Sequence, residues 1–235
     1  MPLPTTKTKP KSDFTAFTTL IYGAPKIGKS TLASQFDNPL FLATEAGLNA
    51  IEAYQQNIDS WEQFLLTCKE LAEGKHEFKT IVIDTVDNLF KFCSNYVCTK
   101  NKITHESELE WGKGWKLVKE EFFRAITKLS HLPYGLVIIS HADPTEIKTR
   151  TGSITRWNPT MAKQAWEIVE PLVDFIFYAS VATTKEGEER ILHCRSSENW
   201  NAGTRFKDWS ETLPISYAAI KNEFDRVTKL EGENK

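Results

Sequence analysis

The feature that most constrains this chain is the segment GAPKIGKS at residues 23–30. It has glycine, glycine, lysine and serine at the fixed positions of the pattern G-x-x-x-x-G-K-[ST], and Thr31 follows it. The preceding residues, LIY, are typical of a strand end, and the following residues, TLASQF, can begin a helix. A strand, this loop and a helix in that order indicate a phosphate-binding P-loop, which predicts an α/β domain.

Each part of this loop has a chemical reason. Gly23 and Gly28 permit backbone angles that other residues rarely adopt. Backbone N–H groups of residues 26–30 would surround a β-phosphate at the start of the helix, where the helix dipole favours anions. Lys29 would reach the β- and γ-phosphates of ATP, and the Ser30 hydroxyl would bind Mg²⁺. A chance glycine turn with an exposed lysine is the alternative.

The predicted nucleotide-binding residues form one continuous set. They are Gly23, Ala24, Pro25, Lys26, Ile27, Gly28, Lys29, Ser30 and Thr31.

The rest of the chain alternates short apolar runs with longer helical stretches. Runs such as LFLAT, TIVID and GLVIIS have no polar face, which is typical of parallel strands covered by helices on both sides. After Pro171 two strand-like runs flank TKEGEE, where Gly187 can form the turn of an antiparallel hairpin. The expected fold class is therefore an α/β P-loop NTPase with a mostly parallel central sheet, helices on both faces and a C-terminal antiparallel β-hairpin.

The composition is that of one ordinary domain. The chain has 235 residues, of which 40% are hydrophobic and 26% are charged, so it can bury a sizeable core. Because the net charge is only −2, nucleic-acid binding would need a local basic patch. We expect a flexible basic tail at residues 1–14, one domain at 15–230 and a frayed end at 231–235.

The same composition predicts the compartment. No apolar run approaches the roughly 20 residues of a membrane helix, and the polar first residues lack the apolar core of a signal peptide. Four cysteines lack the spacing of a zinc site, so free thiols are expected. The sequence thus predicts a cytoplasmic protein without a membrane partner.

Polar residues end the neighbouring strands, where sheets of this kind bind ligands. Asp84 ends TIVID and is the expected magnesium partner. The alternative is that Asp84 is the N-cap of the following helix, a role that Asp87 could equally have. Many P-loop ATPases have a catalytic glutamate directly after this aspartate, but Thr85 stands there. Glu45, after LFLAT, is the expected catalytic base or else a solvated loop acid. His141, after GLVIIS, is the expected γ-phosphate sensor or else a capping residue.

These motifs together resemble a known family. The GAPKIGKST loop, the TEAG turn, IVIDTVDNL, WGKGW and IISHA are similar to phage AAA/RecA-core ATP-binding proteins. Those proteins are single-domain relatives of the RecA and RadA recombinases that serve in recombination and single-strand annealing. The resemblance covers about residues 16–206 and implies a RecA-like core with ATP and Mg²⁺ as cofactors. It also implies a homo-oligomer, single-stranded DNA as a partner, and a single-strand-binding protein as a further candidate partner.

The resemblance also bears on individual residues. In RecA-like enzymes the catalytic glutamate follows the strand after the P-loop helix, which matches Glu45 and the gap at Thr85. In the same enzymes a polar residue at the end of a later strand acts as the γ-phosphate sensor. His141 matches that position, where RecA itself has glutamine.

Two stretches are expected to contact DNA, because RecA-like cores bind single strands through two loops at the rim of the sheet. In residues 144–163, cations accompany a flat ring, the mixture that single strands use for phosphate contact and stacking. The expected contacts are Lys148, Arg150, Arg156, Trp157 and Lys163. In residues 100–116 glutamates oppose the lysines, and packing of Trp111 and Trp115 on the core is the alternative.

Three hypotheses for function follow. The leading one is a Mg²⁺-dependent ATPase that binds single-stranded DNA and assists recombination or annealing. In an oligomer, Arg195 or Arg205 could reach the nucleotide of a neighbouring subunit, or either could form an internal salt bridge instead. The rivals are a P-loop small-molecule kinase, with residues 148–156 imitating its lid, and a nucleotide-dependent assembly or loading module with slow hydrolysis.

Overall fold

The computed structural model describes residues 3, 5–8, 10–149, 152–184 and 187–233. The strands in these ranges are β1 (Thr18–Gly23), β2 (Pro39–Ala43), β3 (Tyr54–Asn57), β4 (Thr80–Asp84), β5 (Gly135–Ser140), β6 (Ala142–Thr149), β7 (Gly152–Pro159), β8 (Phe175–Thr184), β9 (Gly187–His193), β10 (Gly203–Thr204) and β11 (Thr212–Pro214). The α-helices are α1 (Lys29–Ala33), α2 (Trp61–Glu73), α3 (Val86–Lys100), α4 (Lys113–Ser130), α5 (Lys163–Leu172) and α6 (Tyr217–Glu233). Short 3₁₀ turns cover Phe14–Ala16, Glu106–Glu108 and Glu110–Gly112. Among the described residues, no helix is both long and apolar enough to cross a bilayer.

The central sheet confirms the expected fold class. Its parallel part has the order β8-β1-β5-β4-β2-β3, and the hairpin of β8 and β9 continues it antiparallel, with β11 at the edge. The short strand β10 also pairs with β8. Because parallel strands end at one edge of a sheet, the residues that follow β1, β2, β4 and β5 lie near one another.

The sheet separates two apolar cores, and neighbouring residues of β1 show how. Leu20 packs in the core that holds Phe64 of α2 and Phe122 of α4. Ile21 packs on the other side, in the core that holds Leu32 of α1 and Phe224 of α6. All six residues of β1 are buried, which explains why the central strands lack polar alternation.

The expected boundaries need two corrections. Phe14, assigned to the tail, is only 3% exposed, and its ring lies 5.0 Å from that of Phe175 between centroids. The packed domain therefore includes Phe14, because burial of its large ring is favourable although the neighbouring residues are polar. At the other end α6 includes residues 231–233, whereas residues 234–235 lie outside the described part.

Residues 144–149 and 152–159 of the expected DNA-binding stretch are strands rather than a loop. Strands β6 and β7 form a separate antiparallel ribbon, with Ala142 paired to Pro159 at its base and Thr149 paired to Gly152 near its tip. β-Branched residues such as Ile147 and Ile154 pair across it, and this favours strand over loop.

An ion pair fastens the C-terminal helix. Glu223 is 7% exposed and accepts two hydrogen bonds from the Arg226 guanidinium, at 2.7 and 2.8 Å, and one from the Ser210 backbone N–H at 2.6 Å. These bonds, chiefly those from Arg226, lower the pKa of Glu223 from 4.5 to about 2. A lowered carboxylate pKa stabilises the folded state above the unfolded pKa, and this stabilisation is lost as the pH falls through the folded pKa.

We expect Glu223→Gln to lower the free energy of unfolding by about 2 kcal/mol near neutral pH. The difference from wild type should shrink as the pH falls from about 4.5 towards about 2, where wild-type Glu223 becomes protonated as well. Urea unfolding at a series of pH values measures this difference, with Asp225→Asn, an exposed neighbour on the same helix, as the control. If the loss of unfolding free energy in Glu223→Gln stayed constant over that pH range, the lowered pKa of Glu223 would be contradicted.

Candidate nucleotide-binding site

The P-loop leaves β1 at the carboxyl edge of the sheet. A Cβ atom on Gly23 would lie 2.5 Å from the carbonyl oxygen of Ala179 in β8, so only glycine allows these two strands to pair here. The loop then turns through left-handed residues, Lys26 with φ 65° and Gly28 with φ 110°, before α1 begins. Both turns curve the backbone around the space in which a phosphate would lie.

Lys29 lies inside this loop rather than in solvent. It is 5% exposed, and its Nζ donates hydrogen bonds to the carbonyl oxygens of Gly23 at 2.8 Å and Ala24 at 2.9 Å. Burial lowers the pKa of Lys29, while the nearby carboxylates of Asp84 and Glu45 oppose that shift. The loop therefore surrounds a buried amine whose neighbours favour its charged form, as a site for an anionic ligand requires.

Asp84 and Ser30 form the second part of the site. Asp84 is 3% exposed and accepts a hydrogen bond of 2.6 Å from the Ser30 hydroxyl. Burial raises the pKa of Asp84, and the Ser30 bond opposes that shift. Thr85, not Asp84, is the N-cap residue of α3. A carboxylate and a hydroxyl are the hard oxygen ligands that Mg²⁺ prefers, so these residues fit the ion that such sites usually bind with nucleotide.

Glu45 and His141 meet at the same edge. The Oε1 atom of Glu45 lies 3.4 Å from Nε2 of His141, and Nδ2 of Asn88 in α3 donates to Oε2 at 3.2 Å. Glu45 is therefore held on both oxygens, although a third of its side chain stays open to solvent. The sequence identified both Glu45 and His141 but missed Asn88, because its contact depends on how α3 packs against the loop after β2.

Asp87 links the site to the ribbon. Its Oδ1 atom accepts hydrogen bonds from the hydroxyls of Ser140, at 3.0 Å, and Thr160, just after β7. Its Oδ2 atom is buried and has no hydrogen-bond partner among the described residues. Asp87 thus joins α3, the end of β5 and the base of the ribbon.

The comparisons with known proteins agree with this geometry. The model of a family described as an AAA domain matches residues 15–206, which is most of the chain. This chain belongs to that AAA domain family. It is also similar to the SPbeta prophage-derived uncharacterized protein YorG of Bacillus subtilis strain 168, with 33% identity over 128 residues. That match covers 52% of this chain and 40% of the relative, so the chain spans less than half of the relative's length.

Family membership confirms the coarser part of the sequence-based expectation. The chain is an AAA-type, P-loop nucleotide-binding protein. The closer likeness to RecA and RadA stays a prediction.

The AAA domain brings one more cation to its P-loop, and the sequence did not reveal it. A Cβ atom on Gly28 would lie 3.6 Å from Nη1 of Arg190 in β9. Arg190 pairs with Val181, two residues beyond Ala179, which pairs with Gly23. The hairpin therefore extends past the edge of the parallel strands and places an exposed guanidinium beside the loop. Only the register of β8 and β9 could have shown this position.

The two arginines predicted to act on a neighbouring subunit are bonded within the AAA domain. Arg195 donates to the carbonyl oxygen of Trp209 from Nη2 at 2.7 Å and from Nε at 3.1 Å. Arg205 forms an ion pair of 2.7 Å with Asp174, just before β8 and therefore at the edge opposite the P-loop. The internal salt bridge left open by the sequence exists for Arg205, and action of either arginine in a neighbouring subunit stays a prediction.

The predicted DNA contacts on the ribbon are divided between its two faces. Residues that pair across a ribbon share a face, and successive residues alternate. Lys148 pairs with Ser153, so it shares a face with Trp157, whereas Arg156, which pairs with Thr145, lies on the other face. The ribbon thus presents a cation and a flat ring on one side and a second cation on the other.

The remaining predicted contacts lie outside the ribbon or outside the described residues. Lys163 is exposed at the start of α5, and Arg150 lies outside the described residues. In the stretch at 100–116, Trp111 is 99% exposed, so the alternative that it packs on the core is wrong. The backbone of Trp111 is left-handed, with φ 58°, and Trp115 is 36% exposed.

Proposed function

We propose that this AAA domain is a Mg²⁺-dependent ATPase that binds single-stranded DNA and assists phage-type homologous recombination or single-strand annealing. One observation carries the ATPase part: the buried Lys29, the Ser30–Asp84 pair and the Glu45–His141 pair lie together at the carboxyl edge of the sheet. These are a phosphate-binding amine, oxygen ligands for a cation and a carboxylate that can act as a base.

Each residue would have a separate task in hydrolysis. Mg-ATP, when bound, supplies the terminal phosphoanhydride and the cation that neutralises its charge. Lys29 holds positive charge in the loop, and Ser30 and Asp84 would hold the cation. The carboxylate of Glu45 would take a proton from the attacking water, while Asn88 and His141 keep its oxygens in place.

The DNA part is supported by the ribbon. Lys148 and Trp157 share one face of an exposed two-stranded ribbon, and Lys163 lies exposed just beyond it. Phosphate contact by cations and stacking on a flat ring are the two interactions by which single strands are held without sequence preference. Action as a homo-oligomer in the cytoplasm, with a single-strand-binding protein as a further partner, belongs to the same proposal and rests on the family resemblance.

ATP hydrolysis with and without single-stranded DNA tests both parts. We expect the strand to raise turnover at about 50 mM salt and to lose most of that effect at about 200 mM, because phosphate contacts depend on released counterions. Lys148→Gln should weaken strand binding and reduce the slope of log affinity against log salt by about one.

Lys75→Gln is the matched control, since Lys75 is 84% exposed at the opposite edge of the sheet. If single-stranded DNA did not change the rate of ATP hydrolysis, the proposed DNA binding would lose its support. Phosphoryl transfer to a nucleoside or sugar would favour a small-molecule kinase instead.

A further inference from the structure

A cavity of about 570 Å³ lies at the base of the ribbon. β7, β8, β9 and the loop after β9 form its walls. Its main lining residues are Trp157, Tyr178, Ser180, His193, Asn199 and Trp200. None of its ring-bearing residues takes part in the phosphate site.

The rings stack on one another and form one wall of the cavity, whose open side is the slot, and Trp200 contacts His193 at a centroid distance of 4.0 Å. Tyr178 is at the centre of this wall, and its ring plane lies within 20–27° of those of His193, Trp157 and Trp200 at centroid distances of 5.5–6.3 Å. Burial lowers the pKa of His193, which favours its neutral ring, and a hydrogen bond of 2.8 Å joins its Nε2 to the Ser180 hydroxyl. Neutral, parallel rings of this kind suit a flat aromatic ligand.

The slot is held in place from several sides. The backbone N–H of Trp157 donates to the backbone carbonyl oxygen of Asn199 at 2.7 Å. The side-chain Nδ2 of Asn199 donates to the backbone carbonyl oxygen of Thr155 at 3.0 Å. The Tyr22 hydroxyl donates to the carbonyl oxygen of Asn201 at 2.6 Å. A pocket whose walls are already bonded to each other loses little entropy when a ligand enters.

The cavity lies at the carboxyl edge of the sheet, and its rings are on the face that α1 does not cover. Tyr178 pairs with Tyr22, which shares the face of Leu20, whereas Leu32 of α1 packs with Ile21 on the other face. The ring-bearing wall is thus across the sheet from α1, whereas Ile27 and Ala179, which pack with Leu32 on the α1 side, also line the cavity. The position of the rings favours a ligand other than the base of the P-loop nucleotide.

The ribbon leads from the slot to a cation. Lys148 shares the ribbon face of Thr155 and Trp157 and lies about 14 Å along the strand from Trp157, at about 3.4 Å per residue. Glu146, which pairs with Thr155, is the opposing charge on that face. A chain with regularly spaced phosphates and flat bases can contact Lys148 and enter the slot at the same time.

We propose that this cavity binds one unpaired base of a single-stranded nucleic acid, stacked against its rings. The proposal rests on the proposed DNA binding and goes beyond it, because it assigns a base pocket at the back of the P-loop. Stacking on rings accepts every base, so the pocket would show little sequence preference.

Binding of two labelled oligonucleotides of equal length tests the pocket, one of thymidines and one with abasic sites. We expect wild type to bind the thymidine strand about tenfold more tightly than the abasic strand, the loss that removal of one stacked base produces. Trp200→Ala, which removes a wall, and Ala182→Phe, which places a ring inside the cavity, should each remove most of that preference. Phe123→Ala should keep it, because Phe123 is 55% exposed on α4, outside the cavity.

The outcomes separate this inference from the function on which it rests. If wild type binds neither strand, both the DNA-binding function and the pocket are overturned. If wild type binds the two strands equally, or if both cavity variants keep the preference, DNA binding stands and the pocket is overturned. ATP affinity, measured on every variant, should stay unchanged, and a tenfold loss in Ala182→Phe would mean that the cavity takes the base of the nucleotide instead.

Discussion

Lys29→Ala is expected to abolish measurable ATP binding, with a loss of affinity of about 100-fold or more. The lysine is buried in the loop, whereas Lys26 of the same loop and Arg190 beside it are exposed. Its removal also leaves the carboxylate of Asp84 without the nearby positive charge that favours its ionised form. Both changes oppose the entry of a triphosphate, which brings further negative charge.

Isothermal titration with Mg-ATP measures this loss. Lys26→Asn is the matched control, because Lys26 is exposed in the same loop and asparagine tolerates its left-handed backbone. Lys29→Met, which keeps the length of the side chain, should show the same loss and a normal thermal unfolding transition. ATP affinity that did not change in Lys29→Ala would reject the assigned site.

Glu45→Gln is expected to slow ATP hydrolysis by about 100-fold or more while ATP binding is retained, because general-base catalysis contributes at least that factor. Glutamine keeps the size of the side chain and an oxygen for Asn88, but it cannot take a proton from water. Single-turnover hydrolysis and titration with ATP measure the two properties separately.

Glu52→Gln is the control for this variant, since Glu52 is an exposed acid of the segment that follows. Normal turnover in Glu45→Gln would mean that another group acts as the base. If DNA annealing or assembly survived in Glu45→Gln without turnover, the domain would be a nucleotide-dependent assembly module rather than an enzyme driven by hydrolysis.

Local features of the chain could be predicted wherever the deciding contacts are near in sequence. Helix α2 has local signals at both ends, because Ser60 accepts a hydrogen bond from the Gln63 N–H and Gly74 ends the helix with φ 68°. The P-loop is equally local, since its strand, loop and helix follow one another directly. Asp84 was identifiable as the last residue of a strand buried on both faces.

Other features depended on pairings between distant segments. The ribbon of β6 and β7 was taken for a loop, because short runs of mixed polarity become strands only through their partner. Asn88 and Arg190 were missed since their places follow from helix packing and from the register of an edge hairpin.

The amino-acid sequence by itself determined the phosphate loop, the strand that ends in Asp84, the strands that Glu45 and His141 follow, and hence the class of ligand. Only the tertiary structure decided that Glu45 meets His141 and Asn88, that Arg190 lies beside Gly28, and that four rings line a cavity at the base of the ribbon. The physical reason is range: turns, caps and apolar periodicity act over a few residues. Contacts between strands and helices depend instead on packing of the whole domain.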